Sequence, residues 1–358
     1  MPFCVGPILK KDRPNAATID RPSLCFASSM KPFDLKDLDD LAEDFVIDRI
    51  LRTGPNAMLI RARARRGRGA LPVVLKVLNS EHVDIPELRE RLGREGSALS
   101  QIHCPHVLEI YGIGTTRIGR PFLVLEEIEG RSLQEALDEH ERLLPSQAVT
   151  VARDVALALA AAHAANIVHR DVKPDNVFLA EYESKAMLLD FGIANVPSDG
   201  AKITTERRIG TTCYLSPEQI RCAANADAYS DIWSLGVLLF EMLTGRTPFR
   251  GSNAFLTMKA ILEAPTPNLS DYGQFPGGLS IVVQRCLAKE PGHRWTSART
   301  LARALTAFIH LAPLAPSTSA PTRDGIGAIL GCPSTRHSEP NVEAATHAQR
   351  EHFPRGRE

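Results

Sequence analysis

The sequence contains the stretch His169-Arg170-Asp171-Val172-Lys173-Pro174-Asp175-Asn176, and Asp190-Phe191-Gly192 follows after a segment long enough for a short hairpin. Transfer of a phosphoryl group from ATP requires a carboxylate that orients the attacking hydroxyl group. It also requires a second carboxylate and an amide oxygen that hold magnesium against the phosphates. The two motifs supply these groups in the order of a catalytic loop followed by a metal-binding loop.

Length, composition and charge are those of an ordinary globular protein. The 358 residues suffice for one two-lobed domain with tails or for two modest domains, and a hydrophobic content of 44% supports a large buried core. The 42 basic and 42 acidic residues cancel, so the net charge gives no indication of binding to nucleic acid or to a membrane. We therefore expect neither partner.

Cysteine usage and the N-terminal sequence predict a cytoplasmic location. The seven cysteines include no Cys-x-x-Cys pair, which favours free thiols over disulfides or a zinc site. The initial stretch MPFCVGPILKKDRP has an apolar part too short for a secretory signal. No apolar run reaches the length of about 18 residues that a transmembrane helix requires.

Composition divides the chain into three parts. Residues 1–44 are predicted to be a loosely ordered leader, 45–310 a folded domain, and 311–358 a disordered tail that contains Pro, Ser and His. Within the domain, short β-branched runs predict strands and longer apolar patterns predict helices. The predicted strands are 45–47, 57–62, 72–78, 107–110 and 122–125, and the predicted helices are 87–99, 148–165 and 231–243.

Two further stretches belong to the same pattern as the opening motifs. They are Gly210-Thr211-Thr212-Cys213-Tyr214-Leu215-Ser216-Pro217-Glu218 and Asp231-Ile232-Trp233-Ser234-Leu235-Gly236. With them, the chain from roughly Phe45 to Ile309 resembles the eukaryotic-type protein kinases, in the Hanks-type serine/threonine form known from bacteria.

The resemblance implies a fold and a reaction. The fold would be α+β and bilobal, with a β-rich N-terminal lobe that carries one helix and a mainly helical C-terminal lobe. Residues 45–310 would be the protein kinase domain. The cofactors would be ATP and Mg²⁺, the substrate a protein with an acceptor Ser or Thr, and a transient dimer would serve autophosphorylation.

The resemblance also assigns roles within the motifs. In the catalytic set Asp171, Lys173 and Asn176, the aspartate would orient the substrate hydroxyl group and accept its proton. Lys173 would stabilise the transferring phosphoryl group, and it marks specificity for Ser or Thr. Asn176 and Asp190 would be the magnesium ligands, since both carry hard oxygen donors. His169 is implied to be structural and to stack on Phe191.

The nucleotide site is implied in the same way. Lys76, at the end of an apolar strand, would contact the α- and β-phosphates and pair with Glu95 on the following helix. The other residues implied to contact the nucleotide are Gly54, Leu59, Val74, Glu126, Ile128 and Phe178.

A regulatory site is predicted beside the catalytic aspartate. An arginine in this position can receive a phosphate, so Arg170 is predicted to pair with phosphorylated Thr204 or Thr205.

Two structural contacts are also implied. Glu218 would form a buried ion pair with Arg294, and Asp231 would hold the backbone of the catalytic loop.

One part of the family pattern is degenerate. The loop that covers the phosphates should read Gly-x-Gly-x-x-Gly, whereas the aligned stretch is Arg52-Thr53-Gly54-Pro55-Asn56-Ala57. Glycines there let backbone N–H groups approach the phosphates, and Pro55 removes one N–H group. We therefore expect weakened ATP binding. Val74, in place of a smaller alanine, is expected to narrow the adenine pocket.

Two alternative functions remain open. The isolated Gly54 favours a pseudokinase scaffold with weak ATP binding, whereas the intact set of Lys76, Glu95, Asp171, Asn176 and Asp190 argues against it. A small-molecule phosphotransferase would share the catalytic aspartate and asparagine, but such enzymes generally lack Lys173 and the Ser-Pro-Glu sequence. The arginine-rich stretch 61–68 is predicted to be a solvated hairpin rather than a nucleic-acid patch.

Overall fold

Strands come first along the chain and helices follow. The computed structural model describes residues 38, 41–42, 44–54, 56–65, 71–181, 185–191 and 212–310, all within the compact unit Met1–Leu314. The strands are β1 Phe45–Thr53, β2 Ala57–Ala64, β3 Pro72–Leu78, β4 Ile110–Thr115, β5 Pro121–Glu126, β6 Gly130–Ser132, β7 Val177–Ala180 and β8 Lys185–Leu188. The α-helices are α1 Pro86–Leu99, α2 Leu133–His140, α3 Pro145–Ala164, α4 Pro217–Arg221, α5 Ala228–Thr244, α6 Ala254–Glu263, α7 Gly277–Cys286 and α8 Ala298–Thr306.

The N-terminal lobe is built on an antiparallel five-stranded sheet with the order β1-β2-β3-β5-β4. Side chains alternate between the two faces of each strand. One face therefore buries Met58 and Ile60 of β2 with Val73, Leu75 and Val77 of β3. The opposite face packs on α1 and lines the cleft between the two lobes.

Two residues of the predicted leader contribute to this core. Leu38 and Leu41 are buried and pack in the same cluster as Phe45. Arg65 Nε also donates to the carbonyl of Ala42 at 2.9 Å. The described part of the leader thus packs on the sheet, while the domain limits at residues 45 and 310 stay a prediction. The predicted tail, 311–358, lies outside the described residues.

The helix α1 packs closely on the cleft face of the sheet. Leu92 of α1 shares a cluster with Leu78, Leu123 and Leu125. A Cβ atom at Gly96 would lie 2.6 Å from Leu123 Cδ2, which is too close for any larger residue without a shift of its neighbours. The absence of a side chain at Gly96 therefore allows α1 to pack closely on β5.

The C-terminal lobe is organised around α5. This helix is buried on almost every side, as expected for one that is hydrophobic all round. Its N-terminus is capped by Asp227, whose side chain accepts hydrogen bonds from the backbone N–H groups of Tyr229 and Ser230. It ends at Gly245, which has the left-handed φ of 73° that favours glycine after a helix.

The prediction of a strand at 107–110 was wrong. The strand begins at Ile110, and Val107 forms only an isolated parallel bridge with Leu188. The backbone N–H of Val107 donates to the carbonyl of Cys104 in a turn. The apolar run that resembles a strand is therefore a turn that precedes β4. Five helices, α2, α4, α6, α7 and α8, were not predicted from the sequence.

Among the helices of the described residues, none is long and apolar enough to cross a membrane. The alanine-rich α3, with 20 residues, contains Arg153 and Asp154. Asp154 is buried, and it accepts hydrogen bonds from Arg153 and from the backbone N–H of Ala186.

The predicted ion pair of Glu218 and Arg294 is confirmed. Arg294 Nη1 and Nη2 lie 2.7 and 2.9 Å from the two carboxylate oxygens, and both residues are buried. Burial alone would raise the pKa of Glu218, but the hydrogen bonds and charge of Arg294 outweigh burial and lower the pKa below its usual range.

Replacing Arg294 by Leu should lower the free energy of unfolding by about 3–5 kcal/mol, the usual cost of leaving one member of a buried ion pair alone. Urea denaturation followed by circular dichroism measures this. Arg299→Leu, at an exposed position, is the matched control and should change stability by about 0.5 kcal/mol or less. A loss at Arg294 no larger than that of the control would contradict the prediction.

The contribution of Glu218 should also depend on pH. Because its pKa is lowered in the folded state, its contribution is complete above the ordinary carboxyl pKa of about 4.3 and is lost as the pH falls through the folded-state value. The stability difference between the wild type and Glu218→Gln should therefore shrink below about pH 4. A difference that stays constant down to pH 2 would rule out this linkage.

Candidate functional site

Lys76 connects the two lobes through a three-membered charge cluster. Its Nζ lies 2.7 Å from Glu95 Oε1 on α1 and 2.6 Å from Asp190 Oδ1, which follows β8. The alternation of β3 places Val73, Leu75 and Val77 in the core and turns Lys76 to the cleft. The predicted ion pair with Glu95 is confirmed, and Asp190 extends it.

The three charges perturb one another. Burial alone would lower the pKa of Lys76, but the charges of Asp190 and Glu95 outweigh it and raise that pKa above its usual range. Burial raises the pKa of Glu95, and Lys76 only partly counteracts this. Burial alone would raise the pKa of Asp190, but the charge and hydrogen bond of Lys76 outweigh burial and lower that pKa below its usual range. Lys76 and Asp190 are therefore both charged at neutral pH.

Residues of the catalytic-loop motif hydrogen-bond to one another. Lys173 Nζ donates to Asp171 Oδ2 at 2.7 Å. Asn176 Nδ2 donates to the carbonyl oxygen of Asp171 at 2.8 Å and to its Oδ2 at 3.1 Å. The sequence thus brings the predicted catalytic set into direct contact, with one carboxylate oxygen at its centre.

Asp231 on α5 accepts hydrogen bonds from the backbone of this loop. The N–H groups of His169 and Arg170 each donate to its carboxylate at 2.8 Å, which confirms the predicted contact. His163 Nε2 also lies 2.8 Å from Asp231 Oδ2. His163 was not predicted, because a single histidine near the end of a helix gives no pattern from which its partner could be inferred.

Two residues of the site adopt left-handed backbone conformations. Arg170 has a φ of 67° and Asp190 a φ of 48°, each at a cost of about 1–2 kcal/mol for a residue other than glycine. Gln219 Nε2 donates to the carbonyl of Arg170 at 3.3 Å, and Asp231 holds its N–H group. These contacts keep the strained conformation in place.

The guanidinium of Arg170 is incompletely paired. Its Nε is buried and has no hydrogen-bond acceptor among the described residues. The predicted phosphate-bearing residues Thr204 and Thr205 lie outside the described residues, as does Gly192, so the structure does not describe their approach to Arg170.

His169 and Phe191 form part of the core rather than of the reacting centre. Their ring centroids are 4.7 Å apart, which confirms the predicted stacking. His169 Nε2 also lies 3.0 Å from the carbonyl oxygen of Leu189. Both side chains are buried.

A cavity of about 190 Å³ lies at the charged end of the cleft. Lys76, Glu95, Asp171 and Asp190 line it together with the turn between β1 and β2 and with part of α1. The structure thus brings four of the predicted site residues to one cavity, whereas Lys173, Asn176 and Gly54 do not line it. The predicted adenine contacts Leu59, Val74, Glu126, Ile128 and Phe178 do not line it.

Four of those five residues lie on the sheet or in the hinge, the segment 126–129 that leads from the end of β5 to β6. Leu59 pairs with Lys76 across β2 and β3, and Val74 pairs with Leu125 across β3 and β5. Glu126 ends β5 and its N–H donates to the carbonyl of Glu109 at 3.0 Å. Ile128 follows two residues later.

Phe178, on β7, lies against the chain after the hinge. A Cβ atom at Gly130 would come within 2.9 Å of its ring. The ring therefore lies close to the backbone of Gly130, where the chain enters the C-terminal lobe.

The degenerate phosphate loop is a short turn fastened to the end of β3. Gly54 N–H donates to the carbonyl of Ala57 at 2.9 Å. Asn79 donates through its side chain to the carbonyl of Gly54 at 3.0 Å and through its backbone to that of Asn56 at 2.9 Å. Gly54 does not have a positive φ, but a Cβ there would lie 3.0 Å from the carbonyl oxygen of Ala57. Pro55 lies outside the described residues.

The available donors suit magnesium. Asn176 uses Nδ2 for its hydrogen bonds to Asp171, which leaves Oδ1 as an acceptor, and the carboxylate of Asp190 is 59% exposed. Magnesium in nucleotide sites is usually held by one or two protein oxygens together with phosphates and water. No group of three or more His, Cys, Asp or Glu side chains that could hold a metal ion occurs in the described part of the chain.

The described part of the arginine-rich stretch, 61–65, is not simply solvated, whereas 66–68 lie outside the described residues. On β2, Arg61 Nε lies 2.7 Å from Glu127 Oε1 in the hinge, and Arg63 Nη2 lies 2.9 Å from Asp48 Oδ1 on β1. The sequence analysis missed these pairs because the acidic partners are distant in sequence or carry no pattern of their own.

Comparison with known proteins agrees with this geometry. Residues 52–305 match the family described as "Protein kinase domain". Over 239 residues the chain is 37% identical to the serine/threonine-protein kinase PknL of Mycobacterium tuberculosis, a match that covers 66% of this chain and 59% of PknL. Over 262 residues it is 32% identical to the serine/threonine-protein kinase PrkC of Bacillus subtilis, covering 73% of this chain and 37% of PrkC. The matches thus span only part of these relatives.

A solved structure gives the same result. The crystal structure of the M. tuberculosis PknI kinase domain superposes with a TM-score of 0.56 at 25% identity, covering 74% of this chain and 95% of that domain. The chain belongs to the protein kinase family, in its Hanks-type serine/threonine branch, and the predicted bilobal α+β fold is confirmed.

The fastened turn leads to a prediction about nucleotide binding. Asn79→Asp removes the side-chain donor and sets a carboxylate against the carbonyl of Gly54, so ATP affinity should fall by about 2- to 12-fold, the equivalent of one net hydrogen bond. Isothermal titration calorimetry measures it. Asn253→Asp is the control, because Asn253 caps α6 and aspartate caps equally well. Equal ATP affinity in the Asn79 variant and this control would contradict the prediction.

Proposed function

We propose that this chain is a magnesium-dependent serine/threonine protein kinase that transfers the γ-phosphoryl group of ATP to a protein. The observation that carries the proposal is the junction of two clusters at one cavity. Lys76, Glu95 and Asp190 form the first, and Asp171 with its partners forms the second. The names of the relatives PknL and PrkC support the choice of Ser or Thr as the acceptor.

Asp171 is the proposed catalytic base and positioning group. Its carboxylate would accept the proton of the substrate hydroxyl group as the hydroxyl oxygen bonds to the γ-phosphorus. The bond from the γ-phosphorus to the bridging oxygen then breaks and ADP leaves. Lys173, already 2.7 Å from Asp171 Oδ2, keeps the carboxylate oriented and places a positive charge beside the transferring group.

Lys76 is the proposed ligand of the α- and β-phosphates. Glu95 fixes its ammonium from the helix side, so nucleotide binding would not have to order a flexible side chain. Asn176 and Asp190 would hold magnesium, which would neutralise part of the phosphate charge. This assignment follows the hard-oxygen character of the two donors.

The adenine ring is proposed to bind between the sheet and the hinge. Leu59 and Val74 would cover one face, Phe178 would lie near the other, and the backbone of Glu126 and Ile128 would hydrogen-bond the purine edge. Gly54 would lie over the phosphates.

A pseudokinase scaffold is the alternative, and the turn between β1 and β2 is the specific feature that favours it. Only Gly54 of the three expected glycines is present, and Asn79 fastens its carbonyl. Against this alternative stands the complete set of charged and amide groups described above. The two functions differ in phosphate transfer and not in ATP binding, so an activity assay separates them.

The remaining assignments concern partners and location. The substrate would be a protein, two copies would associate transiently during autophosphorylation, and neither nucleic acid nor a membrane is expected as a partner. A cytoplasmic location is proposed from the composition of the sequence. The kinase domain would span 45–310.

Replacing Asp171 by Asn should lower phosphate incorporation by a factor of about 10²–10⁴, the range for loss of a positioned base. The assay uses radiolabelled ATP, Mg²⁺, the full chain and a generic basic protein, with circular dichroism to verify folding. Asp271→Asn, at an exposed position of the C-terminal lobe, is the matched control. Equal incorporation in the wild type and Asp171→Asn would overturn the kinase function, and ATP binding by a wild type that transfers no phosphate would favour the pseudokinase.

Phosphorylation of Thr204 or Thr205 is proposed to activate the enzyme through Arg170. A phosphate carries nearly two negative charges at pH 7 and pairs well with a guanidinium, and the buried Nε of Arg170 lacks an acceptor among the described residues. The variant with both threonines replaced by Ala should lose activity, and peptide mass spectrometry of the wild type should find phosphate at one of them. In an Arg170→Gln background the threonine replacements should have no further effect. Full activity with both sites unmodified would contradict the mechanism.

A further inference from the structure

Arg61 and Glu127 lie on the face of the sheet that lines the cleft. Across β2 and β3, Leu59 pairs with Lys76 and Arg61 pairs with Val74. Paired residues of neighbouring strands point to the same face, so Arg61 shares the face of Lys76, whose ammonium is in the cleft. On β5, Leu125 pairs with Val74. Glu127 is the first residue after this strand, and its contact with Arg61 brings its carboxylate to the same face.

The ion pair therefore crosses beneath β3. Arg61 Nε lies 2.7 Å from Glu127 Oε1, although β3 separates the strand of Arg61 from β5 and adjacent strands are about 4.8 Å apart. The side chain of Arg61 must extend under Val74 to reach the hinge. Glu127 is 13% exposed and Arg61 35% exposed. The pair is therefore a partly buried contact between β2 and the hinge, on the face of the sheet that carries Lys76.

The charges around the pair make it asymmetric. Arg49 of β1 stands directly opposite Arg61, and like charges in this position repel each other. Glu127 is the acid in contact with Arg61, and Arg49 also helps to stabilise its charge. Burial raises the pKa of Glu127, while Arg61 counteracts burial and Glu129 and Asp48 add to it. Loss of Glu127 would leave two arginines facing each other, whereas loss of Arg61 would remove that repulsion.

We propose that the Arg61–Glu127 pair is a positioning device for the nucleotide, which ties the strand above the purine to the hinge and closes the outer edge of the adenine subsite. The inference rests on the proposed nucleotide site. A purine must be contacted by both the roof, Leu59 and Val74, and the hinge. Holding these two surfaces at a fixed separation before binding reduces the ordering that binding requires.

The test compares ATP and ADP affinity by calorimetry with KM and kcat from the phosphate-transfer assay. Arg61→Gln should weaken both affinities and raise KM for ATP by about two- to fivefold, the range for a partly exposed ion pair. Glu127→Gln should weaken them more, because it leaves Arg49 and Arg61 opposed. At saturating ATP, kcat should stay within about twofold of the wild type, since neither residue contacts the reacting groups. The swapped variant Arg61→Glu with Glu127→Arg should recover most of the affinity.

Arg63→Gln is the matched control. Arg63 lies on the same strand and also forms an ion pair, but with Asp48 of β1 rather than with the hinge. The affinity of the Arg63→Gln variant for ATP should match that of the wild type.

Three results would overturn the inference. They are equal affinities in Arg61→Gln and Arg63→Gln, no recovery in the swapped variant, or a lower unfolding temperature with unchanged ATP affinity. If the wild type binds ATP and the variants behave as expected but no phosphate is transferred, the kinase proposal fails and this inference stands. A wild type that binds no nucleotide would overturn both.

Discussion

The buried carboxylate of Asp231 is the interaction on which the geometry of the site depends. It accepts hydrogen bonds from the backbone of His169 and Arg170 and contacts His163. A fully buried carboxylate is tolerated only where donors replace its hydration, so Asp231 and the catalytic loop require each other. Because Asp231 belongs to α5, a helix that is buried on almost every side, the loop is attached to the core of the C-terminal lobe. That attachment holds the left-handed Arg170 and, through it, the direction of the Asp171 side chain.

The first turn of α5 joins this anchor to a second network. Ser230 Oγ donates to Glu218 Oε1 at 2.7 Å, and Arg294 Nη1 donates to the carbonyl of Tyr229 at 2.8 Å. Three consecutive residues, Tyr229, Ser230 and Asp231, therefore connect the chain before α8, the helix α4 and the catalytic loop. Networks of this kind are costly when one member is removed, because the remaining buried groups lose their partners. A substitution at Arg294 is thus expected to disturb the catalytic loop through α5, although Arg294 lies far from Asp171 in sequence.

The chain order of strands and helices, and the chemistry of the site, could be predicted because both depend on local patterns. The run of 72–78 is apolar and β-branched, and β3 occupies that range. Short elements were harder to predict. The turn before β4 has the same composition as a strand. The eight-residue α2 has a capping box at Ser132 and buries Leu133, Ala136 and Leu137, but an apolar pattern of only two turns does not by itself distinguish a helix from a strand. Contacts such as that of Arg61 with Glu127 also escape prediction, since each is a single polar residue whose partner is set by strand register and not by spacing in sequence.

The glycine-poor turn shows how two physical effects of similar size oppose each other. A glycine-rich loop offers more backbone N–H groups to phosphates, and each net hydrogen bond contributes about 0.5–1.5 kcal/mol. Such a loop must also be ordered on binding, at a cost of about 1–2 kcal/mol for each residue fixed. Here Asn79 holds the carbonyls of Gly54 and Asn56, so much of that ordering precedes binding. Fewer donors and less ordering partly cancel, and the loss of two glycines therefore does not by itself imply loss of nucleotide binding. Because Lys76, Asp171 and Asp190 do not depend on this turn for their position, its sequence bears on affinity for ATP more than on the transfer step.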